Sequence, residues 1–256
     1  MNGCGEVADP VFVQPHFDDV ALSCGGTVAS LAAAGRPRIV TVFGGVPEGK
    51  STEFVRFQHE RWGLSEVEAV DRRREEDRSA ANQLGARVDV VWLDYLDAIY
   101  RQPHYASDEA LFGSLIPEDR PLAAEIAQEL APLGDVFAVP MAVGKHVDHQ
   151  LAYLAGKALH RSGKAVWLYA DQPYALDPVV FHRRFGELRD PASCRQAISP
   201  EQFDRRWRAI ECYGSQLPVI FRDYDCPRTQ LERFGKRPSE DSIVELSWKL
   251  EDVSDE

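Results

Sequence analysis

Two short stretches of the chain hold the residue types that do chemistry. Pro15-His16-Phe17-Asp18-Asp19 follows directly on a β-prone run, Val11–Gln14, and His146-Val147-Asp148-His149 follows a second such run, Asp135–Met141. Two imidazoles and a carboxylate are a ligand set for a catalytic divalent ion, with one coordination position left for water. The stretches also carry Asp and His side chains beyond such a set, which suits general acid–base work beside a metal-activated water. An Asp near a helix start also serves as a cap, so Asp18 or Asp19 alone would say little. Two His/Asp clusters at two strand ends say more.

The elements that must position them alternate. Strands are predicted at Val11–Gln14, Arg38–Phe43, Val88–Leu93, Asp135–Met141 and Val166–Ala170. Helices are predicted over Asp18–Ala34, Val67–Leu84, Pro121–Leu133 and His146–Arg161. Gly35 and Gly85 stop the first two helices, and Pro121 opens the third at a first-turn position. This alternation defines an α/β fold: a Rossmann-like, doubly wound, mostly parallel sheet with helices on both faces. In the common order 3-2-1-4-5, strands one and four are neighbours at the switch point, where ligands bind beyond the carboxyl ends of the strands. That order brings the two clusters face to face. Residues 46–66 read as a loop or lid and residues 94–120 as an irregular insertion. Beyond residue 172 the pattern loosens, with a helix over Pro200–Tyr213 and a late strand over Ser242–Leu250. The chain reads as one domain over 1–256, with a core at about 11–172 and a C-terminal elaboration at 173–256.

Composition narrows the partners. The 256 residues hold 29 Lys+Arg against 41 Asp+Glu, a formal net charge of −12. Such a surface argues against nucleic acid, whose phosphates need clustered cations. The stretch 239–256 alone has seven acids and one Lys and reads as a solvated end. No apolar run approaches the ~20 residues of a membrane span. Met1–Pro10 lacks a cationic region followed by an apolar one, so no signal peptide is expected. Five scattered cysteines without a CxxC pair read as reduced thiols, and together these features predict a cytoplasmic protein. Oligomeric state stays open.

On these residues the chain resembles the PIG-L/LmbE-like metal-dependent de-N-acetylases, which remove acetyl groups from N-acetylglucosamine units. The family's His-Pro-Asp-Asp-Glu stands here as His16-Phe17-Asp18-Asp19-Val20, and its His-Pro-Asp-His as His146-Val147-Asp148-His149. A middle motif matches Arg73, Glu76, Ala80, Leu84 and Gly85; a later aromatic strand matches Trp167-Leu168-Tyr169, continuing to Asp171-Gln172-Pro173-Tyr174; a terminal helix matches Ala209 through Ser215-Gln216. The resemblance implies one divalent metal ion, zinc by preference, on His16, Asp19 and His149. It implies Asp18 as the base that deprotonates a metal-bound water. His146 would steady the oxyanion or protonate the leaving amine, Asp148 would orient a histidine, and Arg73 would contact substrate hydroxyls. The function implied is removal of an N-acetyl group from an N-acetylglucosamine-type amino sugar or its conjugate. Amide hydrolysis of a non-sugar N-acyl metabolite, or a non-catalytic metal-containing binding module, stays open as an alternative. Departures from the family are Phe17 for Pro, Val20 for Glu, and Gly144 where some members place a Tyr near the reacting carbonyl. Tyr174 is the expected substitute for that Tyr.

Other features carry less. Gly3-Cys4-Gly5-Glu6-Val7-Ala8 matches GxGxxA without the strand and helix that dinucleotide binding needs. Cys24-Gly25-Gly26 suggests close packing of the first helix on the sheet. Arg72-Arg73-Arg74 with Glu75-Glu76-Asp77 reads mostly as a salt-bridged helix face. His59, His104, His160 and His182 are expected on the surface or in loops. Trp62, Tyr100 and Tyr105, in the two insertions, offer flat apolar faces for a sugar ring; Trp62 and Tyr105 are taken as substrate contacts.

Overall fold

The computed structural model describes residues 9–49, 51–65, 68–188, 193–236 and 242–250. The GxGxxA stretch, Cys4 and the end of the acidic stretch at 251–256 lie outside them. Seven strands form one sheet: β1 (Val11–Gln14), β2 (Arg38–Thr41), β3 (Asp89–Trp92), β4 (Val136–Pro140), β5 (Ala165–Tyr169), β6 (Ser193–Ile198) and β7 (Ile243–Lys249). Their order is β3-β2-β1-β4-β5-β7-β6. The first five are parallel, and β7 pairs antiparallel with both β5 and β6. The expected 3-2-1-4-5 order is therefore present, and β1 and β4 are neighbours.

The helices are α1 (Asp19–Ala32), α2 (Glu53–Trp62), α3 (Ala69–Leu84), α4 (Asp108–Leu111), α5 (Leu122–Leu130), α6 (Val147–Arg161), α7 (Pro178–Glu187), α8 (Pro200–Glu211), α9 (Leu217–Ile220) and α10 (Pro227–Arg233). Alternation along β1 shows the two-layer burial. Val11 and Val13 face a core with Ile126 and Leu130 of α5 and Leu151 and Ala155 of α6. Phe12, between them, faces a second core with Val20 and Val28 of α1, Leu84 of α3 and Phe203 and Ile210 of α8. A sheet buried on both faces needs apolar strands, which is why these read as β-branched runs.

Several expectations are corrected. The lid region 46–66 contains α2, whose N-cap Thr52 accepts from the Val55 N–H and whose C-cap Gly63 is left-handed at φ 65°. Its apolar residues do not follow one helical stripe, so periodicity hid it. The acidic C-terminal stretch is not simply solvated, because it contains β7, where Glu245 is buried. β6 and α7, in a region assigned no elements, extend the same sheet and its cover. Helix α1 is interrupted at Cys24, whose φ of −147° and ψ of 24° leave the helical region.

A polar knot ties both sides of this second core together. The Asp77 carboxylate of α3 accepts from Gln14 Nε2 (3.1 Å), Trp92 Nε1 (2.8 Å) and the Tyr213 hydroxyl (2.9 Å). Burial nevertheless lifts its pKa to about 6, against the pull of these donors. A carboxyl raised in the fold binds its proton more tightly there than in the unfolded chain. Its favourable contribution is present below the unfolded value and lost as pH rises through about 6. The stability advantage of wild type over Asp77→Asn should therefore shrink between pH 4 and 6 by up to ~1.4 kcal/mol per pH unit and level off above pH ~7. Urea unfolding of both proteins across that range checks this; an advantage independent of pH contradicts it.

Candidate active site

The two chemistry-bearing stretches meet because β1 and β4 end side by side. After β1 the chain turns through Pro15–Asp18 into α1. After β4 it passes through a loop in which Ala142 and Lys145 both sit at φ 60°. Non-glycine residues in that region cost roughly 1–3 kcal/mol each and persist where their surroundings hold them. Here the Val143 N–H is fixed by Asp171 Oδ2 at 3.1 Å. The loop delivers His146 to the N-cap of α6, where its Nδ1 accepts the Asp148 N–H at 3.3 Å.

His16, Asp19 and His149 place one ligand atom each within 4.8 Å of one another, a group that could hold a metal ion. His149 Nε2 lies 3.3 Å from Asp19 Oδ1, and His16 Nδ1 lies 3.7 Å from Asp19 Oδ2. The other nitrogen of each imidazole is engaged behind it. His149 Nδ1 meets Asp171 Oδ1 at 2.5 Å, and His16 Nε2 meets Asp148 Oδ2 at 3.0 Å. Such outer carboxylates set the ring orientation and tautomer of a metal-binding histidine. The donor set fits a cation electrostatically. Burial pushes the His16 imidazole down, yet Asp97, Asp148 and Asp19 outweigh it and hold its pKa up at about 9. The carboxylates of Asp19, Asp97 and Asp148, 3.7, 3.6 and 3.0 Å from its ring nitrogens, favour positive charge there.

A second group, His16, His146 and Asp148, is also close enough for an ion. Its chemistry differs, because Arg101 already stands 2.8 Å from Asp148 Oδ1 and the Ala98 N–H donates to Oδ2 at 3.0 Å. With burial opposing, Arg101, His16 and His146 hold the Asp148 carboxyl well below the usual carboxylate range. That carboxylate is already shared among His16, Arg101 and the Ala98 N–H.

Asp18 is the N-cap residue of α1, but its side chain makes no capping hydrogen bond. It is buried and lines the cleft beside His16 and Asp19. Burial drives the His146 imidazole well below its usual pKa, helped by the neighbouring His16. With Nδ1 occupied by a backbone N–H, neutral His146 carries its proton on Nε2.

Of the expected substrate contacts, Arg73, Trp62 and Tyr174 line this cleft. The Arg73 guanidinium is sandwiched between Phe17 and Trp62, 5.1 Å from each ring, with Asp97 at 3.8 Å. Tyr174 packs edge-on to His149 and Phe112. A Cβ on Gly144 would stand 2.6 Å from the Tyr174 ring, so the glycine makes room for it. Burial keeps the Tyr174 hydroxyl protonated through the ordinary pH range. Tyr105 is a correction: it is 1% exposed, its hydroxyl accepts the Ile116 N–H, and its ring lies against Arg101. It braces the insertion from inside. His59 is likewise buried, with Nε2 2.8 Å from the Tyr100 hydroxyl, not on the surface.

Sequence reasoning named Asp171 only as part of a matching stretch, without a role, and missed Arg101 and Asp97. Asp171 stands just past the carboxyl end of β5, the same signal that singled out His16 and His149. Arg101 and Asp97 lie in an insertion without periodicity, where nothing local marked them. Val20, in place of the family's Glu, is fully buried in the second core, and its N–H donates to Gln14 Oε1. Glu76 of the middle motif accepts from both the N–H and the hydroxyl of Ser215, which ties α3 to the segment carrying the cleft residue Gln216.

With this geometry in place, comparison with known proteins gives a consistent answer. The chain matches the family described as PIG-L, GlcNAc-PI de-N-acetylase, over residues 11–160, and it belongs to that family. It is similar to the 2'-N-acetylparomamine deacetylase of Niallia circulans, 36% identical over 191 residues, 64% of this chain and 66% of that one. It is similar to the 2'-N-acetylparomamine deacetylase of Streptomyces fradiae, 30% identical over 234 residues, 86% of this chain and 76% of that one. The match thus spans just under two thirds of the Niallia protein's length. In structure it is similar to the zinc-inhibited form of the teicoplanin deacetylase Orf2, with a TM-score of 0.81, 24% identity, and coverage of 97% of this chain and 100% of that one. That likeness bears on the fold.

Buried and exposed charge pairs around the cleft should differ sharply in weight. Arg101→Ala strips the fully buried Asp148 of its guanidinium and should lower stability by about 3–5 kcal/mol. Arg61→Ala, whose partner Asp108 is half exposed, should cost less than ~1 kcal/mol. Urea unfolding curves of the two variants decide this; equal losses would contradict the assignment.

Proposed function

We propose that the protein is a zinc-dependent N-deacetylase acting on an N-acetylated amino sugar conjugate of the 2'-N-acetylparomamine type. The observation that carries this reading is the convergence of His16, Asp19 and His149 at one point, with Asp18 beside them and free of any capping duty. Family membership and the two deacetylase relatives support the reaction and the amino sugar. Three N/O ligands with an open position suit zinc.

His16 Nδ1, the Asp19 carboxylate and His149 Nε2 would hold the ion, which when bound supplies Lewis acidity and brings the pKa of water toward ~7. Asp18 takes the proton of the attacking water. Neutral His146 points its Nε2–H at the carbonyl oxygen as negative charge develops there, and the Tyr174 hydroxyl is a second donor for the same charge. Because the His146 imidazole is neutral, it is a poor acid for the departing amine. The proton collected by Asp18 is therefore the one returned to the nitrogen. Trp62 and Arg73 form a flat, cationic wall suited to a sugar ring and its hydroxyls. No described helix is long and apolar enough to cross a membrane. Cys24, Cys194, Cys212 and Cys226 are unpaired, which supports a reducing, cytoplasmic setting.

Acetate release from 2'-N-acetylparomamine, free N-acetylglucosamine and a non-sugar N-acetyl amine tests the substrate class. Turnover only of the non-sugar amide, or of none, overturns it. Purified wild type should hold about one zinc ion, and His149→Ala should lose it; equal zinc in both, by metal analysis, removes His149 from the ligand set. Asp18→Asn should retain zinc and fold yet lose kcat by at least ~10², and Tyr174→Phe should lose ~10² with KM little changed. If Asp18→Asn empties the site while Asp19→Asn does not, the roles of the two carboxylates are exchanged.

A further inference from the structure

The interruption of α1 at Cys24 opens its backbone hydrogen-bond ladder, and two side chains from the C-terminal part of the chain fill the opening. On one side, Arg206 of α8 donates to the carbonyls of Ala21 (3.2 Å, through Nε) and Leu22. On the other side, Glu245 of β7 accepts the N–H groups of Gly26 (2.9 Å) and Thr27 (2.7 Å) and the Thr27 hydroxyl (2.6 Å). The two side chains pair with each other, Arg206 Nη1 to Glu245 Oε1, at 3.1 Å. Both are essentially inaccessible, at 1% and 3% exposure. The Cys24-Gly25-Gly26 stretch is explained by this approach. A Cβ at Gly25 would stand 3.0 Å from Arg206 Cγ, and one at Gly26 would stand 2.8 Å from Glu245 Oε1.

Arg206 has a further partner. Its Nη2 donates to Gln172 Oε1 at 2.8 Å, and the Gln172 N–H donates to the Ser23 hydroxyl at 3.1 Å. Gln172 lies between Asp171, which holds His149, and the segment carrying Tyr174. One guanidinium thus grips the helical turn that begins with Asp18 and Asp19, and also the segment that fixes His149.

We propose that Arg206, set by Glu245, is a positioning residue for the active site: it fixes the turn carrying Asp18 and Asp19 against the Asp171–Tyr174 segment, and so sets how Asp19 and Asp18 face His149. Neither residue lines the cleft around His16 and His149, so both act through others. This assignment rests on the proposed function, its zinc arm on the His16, Asp19 and His149 site and its kinetic arm on the deacetylase reaction. Catalytic geometry held loosely by even ~1 Å loses up to ~10² in rate.

The test uses two variants of the full chain. Arg206→Met/Glu245→Leu removes both charges together, so no buried charge is left alone, a replacement that proteins often tolerate. Arg206→Lys keeps the charge and the pair with Glu245 but, with one ammonium, cannot grip the carbonyls and Gln172 in the same way. Zinc affinity of the metal-free protein is read by chelator competition, and kcat and KM by acetate release well below each variant's Tm. The expected result is that both variants fold, bind zinc about tenfold more weakly, and lose about tenfold or more in kcat with KM within about twofold. A purely structural pair would lower Tm and leave zinc affinity and kcat at wild-type values. That outcome in either folded variant overturns the proposal. Wild type that binds zinc but releases no acetate overturns the deacetylase reading instead, and the zinc arm still decides this one.

Discussion

Three buried carboxylates at the carboxyl ends of β1, β4 and β5, those of Asp19, Asp148 and Asp171, are tolerable because each faces an imidazole, a guanidinium or a backbone N–H. An isolated charge at such depth would be expelled by its desolvation cost. Asp19 lies against His149 and His16, Asp148 against His16 and Arg101, and Asp171 against His149 and the Val143 N–H. These pairings dictate much else. They fix which nitrogen of each histidine faces the open point, hold the loop after β4 in two left-handed conformations, and draw the irregular insertion inward so that the Ala98 N–H can reach Asp148.

The C-terminal elaboration follows from the same constraint. Asp171 and Gln172 follow β5, Tyr213 closes the Asp77 knot, Ser215 is bound to Glu76, and Arg206 and Glu245 fill the gap in α1. Strands β6 and β7 prolong the same sheet that carries the site. The late part of the chain is therefore built into the reaction centre's support from behind, while α2, α4 and α9 frame its mouth.

Much of this was legible in the sequence, and the limits were physical. The parallel core declared itself through apolar runs alternating with helical spacing. The switch point followed from strand order and set the two His/Asp clusters face to face; which of their residues would hold an ion came from the family resemblance alone. The orienting role expected of Asp148 also came from that resemblance; its contact with His16, far away in sequence, has no local signal. What escaped was whatever depends on contacts distant in sequence. Arg101 has no local pattern that marks it as the partner of Asp148. Tyr105 looks like any aromatic in a loop until its ring is found beneath Arg101. Helix α2 was hidden because exposed Phe57 and buried His59 invert the usual assignment of faces. The break in α1 was hidden because Asp18–Ala34 has good helical spacing, and only the pair of glycines hinted that something large approaches there.

The contact between Gly144 and the Tyr174 ring has a bearing on how changes at either residue are read. One volume beside His149 is filled by the Tyr174 ring, rooted in the segment after β5, and the loop after β4 leaves room for it with a glycine. The two positions are mutually exclusive in space, since any side chain at 144 drives into the ring at 174. Positions 144 and 174, far apart in sequence, are therefore one unit in space, and each limits what the other can be. A tyrosine introduced at 144 would be accommodated only if residue 174 were reduced in the same step, so neither change is interpretable alone.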